Sequence, residues 1–429
     1  MRENSNTFLN LLLFLLYVIF VSSVILSFRA ITSISLGCIG VGGLIKNKVE
    51  NGIFFNRKLS NPFFVSCCLL FALEMISVVY SQNKEQAWRN VSGNSQLVVV
   101  PFCLLSCDYI VEITRKKIMK WYCVVLFAAC LFALIRASNI YVTKHDASVL
   151  FYHQLVEPYS GHAIQFSILV FVALAFLLEN EKNRQYLISN IFQKFLIVFF
   201  SMMLLLLSSK LVIVFYLGYL LYFLLVIRRY KIKWIAIGFI AAFFTVCVFV
   251  FATNNPMSNR FRDIVYTDFK MLERPKFDPG NYFNGLQFRL LQWRFVPQIL
   301  TEKKAWATGV GVGDAQQLLD DKYIDENMYT GDAQRGGKGF LGYNTHNEFL
   351  QSLLETGIPG LLVYALIGLS LIKMMSVNKR APFIFISILL LVYSVSESVF
   401  ESQYSSVIFL FFPLFFYLDE QMVNGEKNF

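Results

Sequence analysis

Long apolar runs, separated by short polar loops, constrain this chain more than any other feature. Runs near the length that an α-helix needs to cross a bilayer, about 20 residues, occur at roughly 8–28, 30–45, 62–80, 95–107, 119–137, 163–179, 189–207, 210–227, 234–252, 358–376, 381–397 and 404–418. A backbone in lipid must satisfy its own hydrogen bonds, so these runs should be helical. The sequence therefore predicts an all-α polytopic membrane protein with about twelve transmembrane helices.

Composition supports this prediction, because 56% of the residues are hydrophobic and only 15% are charged. Residues 1–30 could instead be a cleavable signal peptide, but the run is long enough to span and lacks a clear cleavage site. We therefore assign it as the first helix. All eight cysteines fall in apolar segments, which argues against a disulfide framework or a cysteine metal site.

The basic residues predict the orientation. Twenty Lys and Arg residues fall on one alternating set of loops and at the termini, against six in or beside the short loops of the other set. Since cytoplasmic loops accumulate basic residues, the N-terminus should be cytoplasmic, and the net charge of +10 needs no nucleic-acid partner. The predicted units are 1–252 with helices 1–9, 253–345 as a large, mainly helical periplasmic loop, and 346–429 with an interfacial helix and helices 10–12.

The end of that loop carries the most suggestive motif, Thr345-His346-Asn347-Glu348. The spacing matches a capping box, in which Thr345 accepts a hydrogen bond from the backbone of Glu348 and Glu348 returns one. His346 would then be the first residue of a helix, where the partial positive charge favours a neutral imidazole that can accept a proton. The alternative is an ordinary capped helix. A helix break is expected at Gly357-Ile358-Pro359-Gly360.

Two cationic positions could bind phosphate groups. Arg289 and Trp293 are four residues apart and should share one face of a helix, where they could hold a diphosphate or simply lie at the surface near lipid headgroups. Lys210 follows Ser208-Ser209 between two apolar runs, which places it at or just inside the outward-facing surface of the membrane that the chain spans. It could bind phosphate or extend its ammonium to water.

Other motifs are weaker. The glycines of Gly309-Val310-Gly311-Val312-Gly313-Asp314 lack the strand and helix of a nucleotide site, so we predict a flexible turn that shapes the site. The segment 335–339 fails the P-loop spacing. The chain has no Asp-x-Asp pair, which favours a metal-independent mechanism. Further candidates, which could equally only solvate loops, are Arg136, Tyr152, His153, Glu157, His162, Glu397, Glu401 and Gln403.

Three features in this order resemble the O-antigen ligase and polymerase superfamily: Ser209-Lys210 before a span, Arg289-x-x-x-Trp293, and Gly-Val-Gly followed by His346-Asn347 and the glycine-rich break. The resemblance implies transfer of a glycan from an undecaprenyl-diphosphate carrier to a hydroxyl group at the periplasmic face of the bacterial inner membrane. The acceptor would be lipid A core for a ligase or another glycan for a polymerase. No cofactor is implied, and the expected partners are these substrates and membrane lipids.

By residue, the resemblance implies that His346 deprotonates or orients the acceptor hydroxyl and that Arg289 binds the diphosphate. Lys210 stands where many relatives have arginine, so it keeps the charge but loses the bidentate fork. The remaining predicted substrate-binding residues are Arg136, Trp293, Asn347 and Glu397. We favour a ligase over a polymerase or a protein O-oligosaccharyltransferase. A transporter, whose site should lie at the bilayer midplane, is disfavoured.

Overall fold

A computed structural model describes residues 2–55, 57–106, 109–159, 161–183, 189–223, 225, 268–332 and 337–418. These residues form helices and loops and contain no strand. The first ten α-helices of the described chain are α1 (Arg2–Ile25), α2 (Arg29–Asn51), α3 (Pro62–Tyr80), α4 (Lys84–Asn94), α5 (Gln96–Leu105), α6 (Glu112–Lys144), α7 (Tyr152–Leu155), α8 (Ala163–Asn183), α9 (Asn190–Leu207) and α10 (Lys210–Tyr222). After the gap follow α11 (Gly285–Glu302), α12 (Ala315–Asp325), α13 (Glu348–Val377), α14 (Ala381–Ser396) and α15 (Gln403–Tyr417).

Seven of the described helices are long and apolar enough to cross a membrane: Thr7–Ile25, Arg29–Asn51, Pro62–Tyr80, Glu112–Lys144, Ala163–Asn180, Asn190–Leu207 and Glu348–Val377. Three more apolar helices, α10, α14 and α15, are shorter. The all-helical prediction is therefore confirmed for the described chain. The predicted span at 234–252 lies outside the described residues, so the count of twelve and the placement of the loop 253–345 stay predictions.

Two helices, α8 and α15, form the centre of the bundle. Between Ala163 and Asn180, 89% of the residues are buried, and every residue of α15 after its first is buried. Aromatic rings fill the spaces between helices, as where Phe411 approaches Phe20 with ring centroids 4.7 Å apart. A helix that is apolar all round belongs inside a bundle, which explains why the Phe-rich α15 lies there.

Helix α13 contains the predicted break. Gly357 has φ 73° and ψ −163°, so the segment from Glu348 to Thr356 and the span that follows are two separate helices. The break frees the amide of Ile358, which donates to the Trp306 carbonyl oxygen at 2.9 Å. Only glycine fits here, because a Cβ at 357 would lie 2.6 Å from the backbone nitrogen of Gly309.

The glycine-rich segment 309–313 joins the loop region to the bundle. The amide of Val310 donates to the Leu354 carbonyl oxygen at 2.8 Å, and that of Gly311 donates to the Glu355 carbonyl oxygen at 2.9 Å. The Asp314 carboxylate accepts from the two amides that precede α4, at 2.7 and 2.9 Å. This segment is thus a docked turn rather than the flexible one that we expected, and its amides bind protein groups rather than phosphate.

Replacing Gly309 with alanine should destabilise the fold through this close approach. The new Cβ would lie 2.4 Å from the backbone of Glu355, and neither backbone can yield without breaking the docking bonds. Overpacking of this kind costs about 1–3 kcal/mol, so we expect a clear drop in melting temperature in detergent. Gly342→Ala is the matched control, because its φ of +82° is equally unusual but its Cβ would meet nothing within 4 Å. Equal losses in both variants would mean that backbone strain, not docking, limits position 309.

Candidate functional site

His346 lies just before α13 rather than inside it. The N-cap of α13 is Asn347, whose side chain accepts from the Leu350 amide, and His346 has a positive φ of 46°. The predicted capping box is therefore wrong. The Thr345 hydroxyl instead lies 2.9 Å from the Gln351 side-chain oxygen and 3.1 Å from the Ser398 hydroxyl. Tertiary partners outcompete the local cap, so the argument from a first-turn position does not apply to His346.

The carboxylate of Glu397 bridges the two principal candidates. Its Oε2 lies 2.8 Å from His346 Nδ1, and its Oε1 accepts from Arg289 Nη2 at 2.6 Å. Arg289 Nε also donates to the carbonyl oxygen of Ser396 at 3.0 Å. The carboxylate side chain is only 9% exposed, which strengthens both interactions relative to a surface pair.

The charge of Glu397 is set by opposing effects. Burial alone raises the pKa of this carboxyl, but the hydrogen bond and charge of His346 and the charge of Arg289 lower it to about 2. Glu397 is therefore ionised at neutral pH. An ionised carboxylate only accepts hydrogen bonds, so Nδ1 of His346 must carry a proton. The neutral tautomer of His346 then presents Nε2 as its proton acceptor.

Glu397 lies in the loop between α14 and α15, and the short first helix of α13, Glu348–Thr356, holds this loop. The Glu348 carboxylate accepts from the Phe400 amide at 3.0 Å, and the Gln351 amide donates to Glu401 at 3.0 Å. The side chains of Glu348 and Gln351 are buried. These contacts fix the backbone that carries Glu397.

A cavity of about 440 Å³ opens beside this bridge. Arg289 and Trp293 line it from α11, as their four-residue spacing predicted, and Ser209 and Lys210 line it from the start of α10. The structure thus brings the two predicted cations to one cavity. The buried indole N–H of Trp293 and the buried hydroxyl of Ser209 have no hydrogen-bond partner within the described chain. Buried donors in proteins are almost always satisfied, so these two groups are available to acceptor groups that enter the cavity.

His162 also faces the bridge. Burial lowers the pKa of His162, and the charges of Glu397, His346 and Arg289 act on it as well, the first opposing the shift and the other two adding to it. Its ring lies 5.4 Å from that of His153, whose Nδ1 is 3.1 Å from the first amide of α8. His162 was only a minor candidate in the sequence, since nothing local links it to His346.

Tyr152, a minor candidate in the sequence, also lines the cavity, whereas Arg136, Asn347 and Gln403 lie apart from the lining. Arg136 forms an ion pair with Glu157, and the side chain of Asn347 caps α13. Gln403 contacts α2 through the Ser33 hydroxyl at 2.7 Å. Their predicted substrate-binding roles stay predictions. The predicted segment 335–339 falls partly outside the described residues.

Sequence reasoning missed the bridging position of Glu397 and the contribution of Ser396, and it assigned no separate role to Ser209. The sequence did contain one indication of the role of Glu397. Glu397 and Glu401 lie where two strongly apolar runs meet, and ionisable residues at such a position usually have functional partners. The chain alone could not reveal that those partners lie 51 and 108 residues away. Among the described residues, no group of His, Cys, Asp or Glu side chains is arranged to hold a metal ion, and metal independence stays a prediction.

Comparison with known proteins gives one result that bears on this geometry. The family described as O-Antigen ligase matches residues 195–365, a region that contains Lys210, Arg289 and His346. This match confirms the resemblance to the O-antigen ligase superfamily. It supports a glycosyltransferase of the lipid-linked glycan type and, with the apolar helices, a multi-pass membrane protein. A search of curated proteins finds no match to the chain.

The low pKa of Glu397 predicts a specific dependence of stability on pH. Because the pKa in the folded protein lies below the ordinary value of 4.5, the ionised carboxylate stabilises the fold above that value. This contribution decreases below pH 4.5 and is lost as the pH falls through about 2. The melting temperature of the wild type should exceed that of Glu397→Gln at pH 5, and the two curves should converge as the pH falls further.

The control is Glu302→Gln, which removes an exposed partner of Lys322 on the surface of the loop region. The melting temperature of this variant should differ little from that of the wild type at every pH, as is usual for exposed ion pairs. A difference in melting temperature between the wild type and Glu397→Gln that stays unchanged down to pH 2 would contradict the ionised state assigned to Glu397.

Proposed function

We propose that this protein transfers a glycan from a polyprenyl diphosphate, of the undecaprenyl type, to an acceptor hydroxyl without a metal ion. The observation that carries the proposal is the hydrogen-bonded row of side chains from His346 through Glu397 to Arg289. This row lies at the edge of the cavity that Ser209 and Trp293 line. One end of this row offers a proton acceptor and the other offers cations. Transfer from an activated diphosphate donor needs both.

His346 acts as the general base. Glu397 holds its Nδ1 proton, which orients the ring and stabilises the imidazolium that forms when Nε2 takes the acceptor proton. The acceptor oxygen then forms a bond to the anomeric carbon of the donor sugar. The bond from that carbon to the diphosphate oxygen breaks, and its electron pair leaves with the diphosphate. Atoms and charge balance without a nucleotide or a redox partner.

Arg289 and Lys210 stabilise the departing diphosphate. A guanidinium has five N–H donors, and Arg289 uses three of them on Glu397, Ser396 and Gly285. Two donors therefore remain for phosphate oxygens. Positive charge that is already in place where negative charge develops lowers the barrier, because little reorganisation is needed. Trp293 and Ser209 add the two buried donors.

We further propose that the reaction takes place at the periplasmic face of the bacterial inner membrane, with the region 253–345 as the periplasmic loop. The alternation of basic loops in the sequence supports this orientation. The favoured acceptor is lipid A core, as in a ligase. A growing glycan, as in a polymerase, or a protein hydroxyl would use the same donor and the same base, so the acceptor must be tested directly.

His346→Ala should abolish glycan transfer by purified protein, with a rate loss of about 100-fold or more, as expected for a lost general base. Binding of the lipid-linked donor should remain, because the cavity lined by Lys210 and Trp293 is unchanged. Transfer is measured from a radiolabelled donor, and donor retention by native mass spectrometry. The matched control is His145→Ala, an exposed histidine at the C-cap of α6. Wild-type transfer by His346→Ala would refute the assigned base.

A lipopolysaccharide gel from a deletion strain tests the acceptor. Loss of a ligase leaves bare lipid A core and accumulates polymer on the carrier, and we expect this pattern. Core that carries a single repeat unit would instead identify a polymerase. An unchanged lipopolysaccharide with loss of glycosylated proteins would identify a protein O-oligosaccharyltransferase. Complementation with His346→Ala should reproduce the deletion pattern if the chemistry above is correct.

A further inference from the structure

A second cavity lies at the other end of the bundle. It has a volume of about 470 Å³ and is lined by residues of α1, of the end of α2 and of the first turns of α6. Its lining includes Asn10, Lys46, Thr114 and Lys117. From Lys117 to Arg136, α6 rises about 28 Å, so this cavity is remote from the site around His346.

The polar side of this cavity is positively charged. Lys46 is only 7% exposed and pairs with Glu50 one turn further along α2. Lys117 of α6 is exposed and adds a second positive charge to the cavity lining. The hydroxyl of Thr114 and the amide of Asn10 supply uncharged polar groups. Two ammonium groups against one carboxylate leave an excess of positive charge, which favours an anionic ligand.

The other side of the cavity is apolar and leads outwards. Leu11 and Phe14 form this wall. Leu11, Leu15 and Ile19 follow at intervals of four residues along α1 and are 56%, 48% and 47% exposed. Residues spaced by four lie on one face of a helix. This apolar stripe therefore starts at the cavity and runs along a helix that is apolar enough to cross a membrane.

We infer that this cavity binds the headgroup of an anionic phospholipid, with an acyl chain lying along the Leu11–Ile19 stripe. Charge alone would suit any phosphate, but the stripe gives an advantage only to a phosphate that carries a hydrocarbon chain. Tyr109 keeps the wall in place, since its hydroxyl donates to the Asn10 carbonyl oxygen at 2.7 Å and its ring stacks on Tyr17. The inference is independent of the proposed glycan transfer.

Native mass spectrometry of the full-length protein in detergent tests this site. The probes are phosphatidylglycerol and phosphatidylcholine with identical acyl chains. Wild-type protein should retain phosphatidylglycerol in preference to phosphatidylcholine. The double variant Lys46→Gln with Lys117→Gln should weaken phosphatidylglycerol binding roughly 30-fold, as the loss of two basic groups near an anionic headgroup implies.

Lys48→Gln with Lys120→Gln is the matched control. It removes two exposed lysines from the same two helices, and neither lines the cavity. Leu11→Trp is a second test, which fills the apolar side, keeps every charge and should also weaken binding. Glycerol 3-phosphate should compete only poorly. Equal binding of the two lipids, equal losses in the two double variants, or displacement by glycerol 3-phosphate at lipid-like concentrations would each overturn the inference.

Discussion

The site depends on one buried carboxylate. Glu397 is held between a guanidinium and an imidazole, and a buried charge is costly unless such partners compensate for its lost hydration. Those partners come from α11 and from the segment before α13, while Glu397 follows α14. The loop region and the apolar bundle must therefore pack in one particular arrangement for the charge to be satisfied. Removing either partner would leave a buried charge without compensation. The relative positions of Arg289, His346 and Glu397 are therefore strongly specified.

The parts of the fold that depend on local sequence could be predicted. Apolar runs and helical spacing placed most of the helices, and the spacing of Arg289 and Trp293 correctly put both on one face. The capping box failed because capping is a competition between local and tertiary hydrogen bonds. The Thr345 hydroxyl has partners on Gln351 and Ser398, and Asn347 provides the cap instead. A local pattern cannot show which of two competing bonds the folded chain retains.

The glycines show the same limit in another form. A glycine-rich segment in a sequence indicates either freedom or close contact, and the sequence does not distinguish them. Here the contacts decide the matter, because Gly309, Gly311 and Gly313 each approach another backbone or a serine too closely for a Cβ. The bridging role of Glu397 was equally beyond local reasoning. Its partners are remote in the chain, and only the packed structure brings them within hydrogen-bonding distance.

The break at Gly357 separates the short helix that follows His346 from the span beyond it. Because α13 is two helices, the short helix from Glu348 to Thr356 is not a rigid extension of the span that follows. This short helix is bonded to segment 309–313 through Leu354 and Glu355, and its side chains hold the loop of Glu397. His346, Glu397 and Arg289 thus belong to one hydrogen-bonded unit, and their alignment does not depend on a continuous helix through the following span.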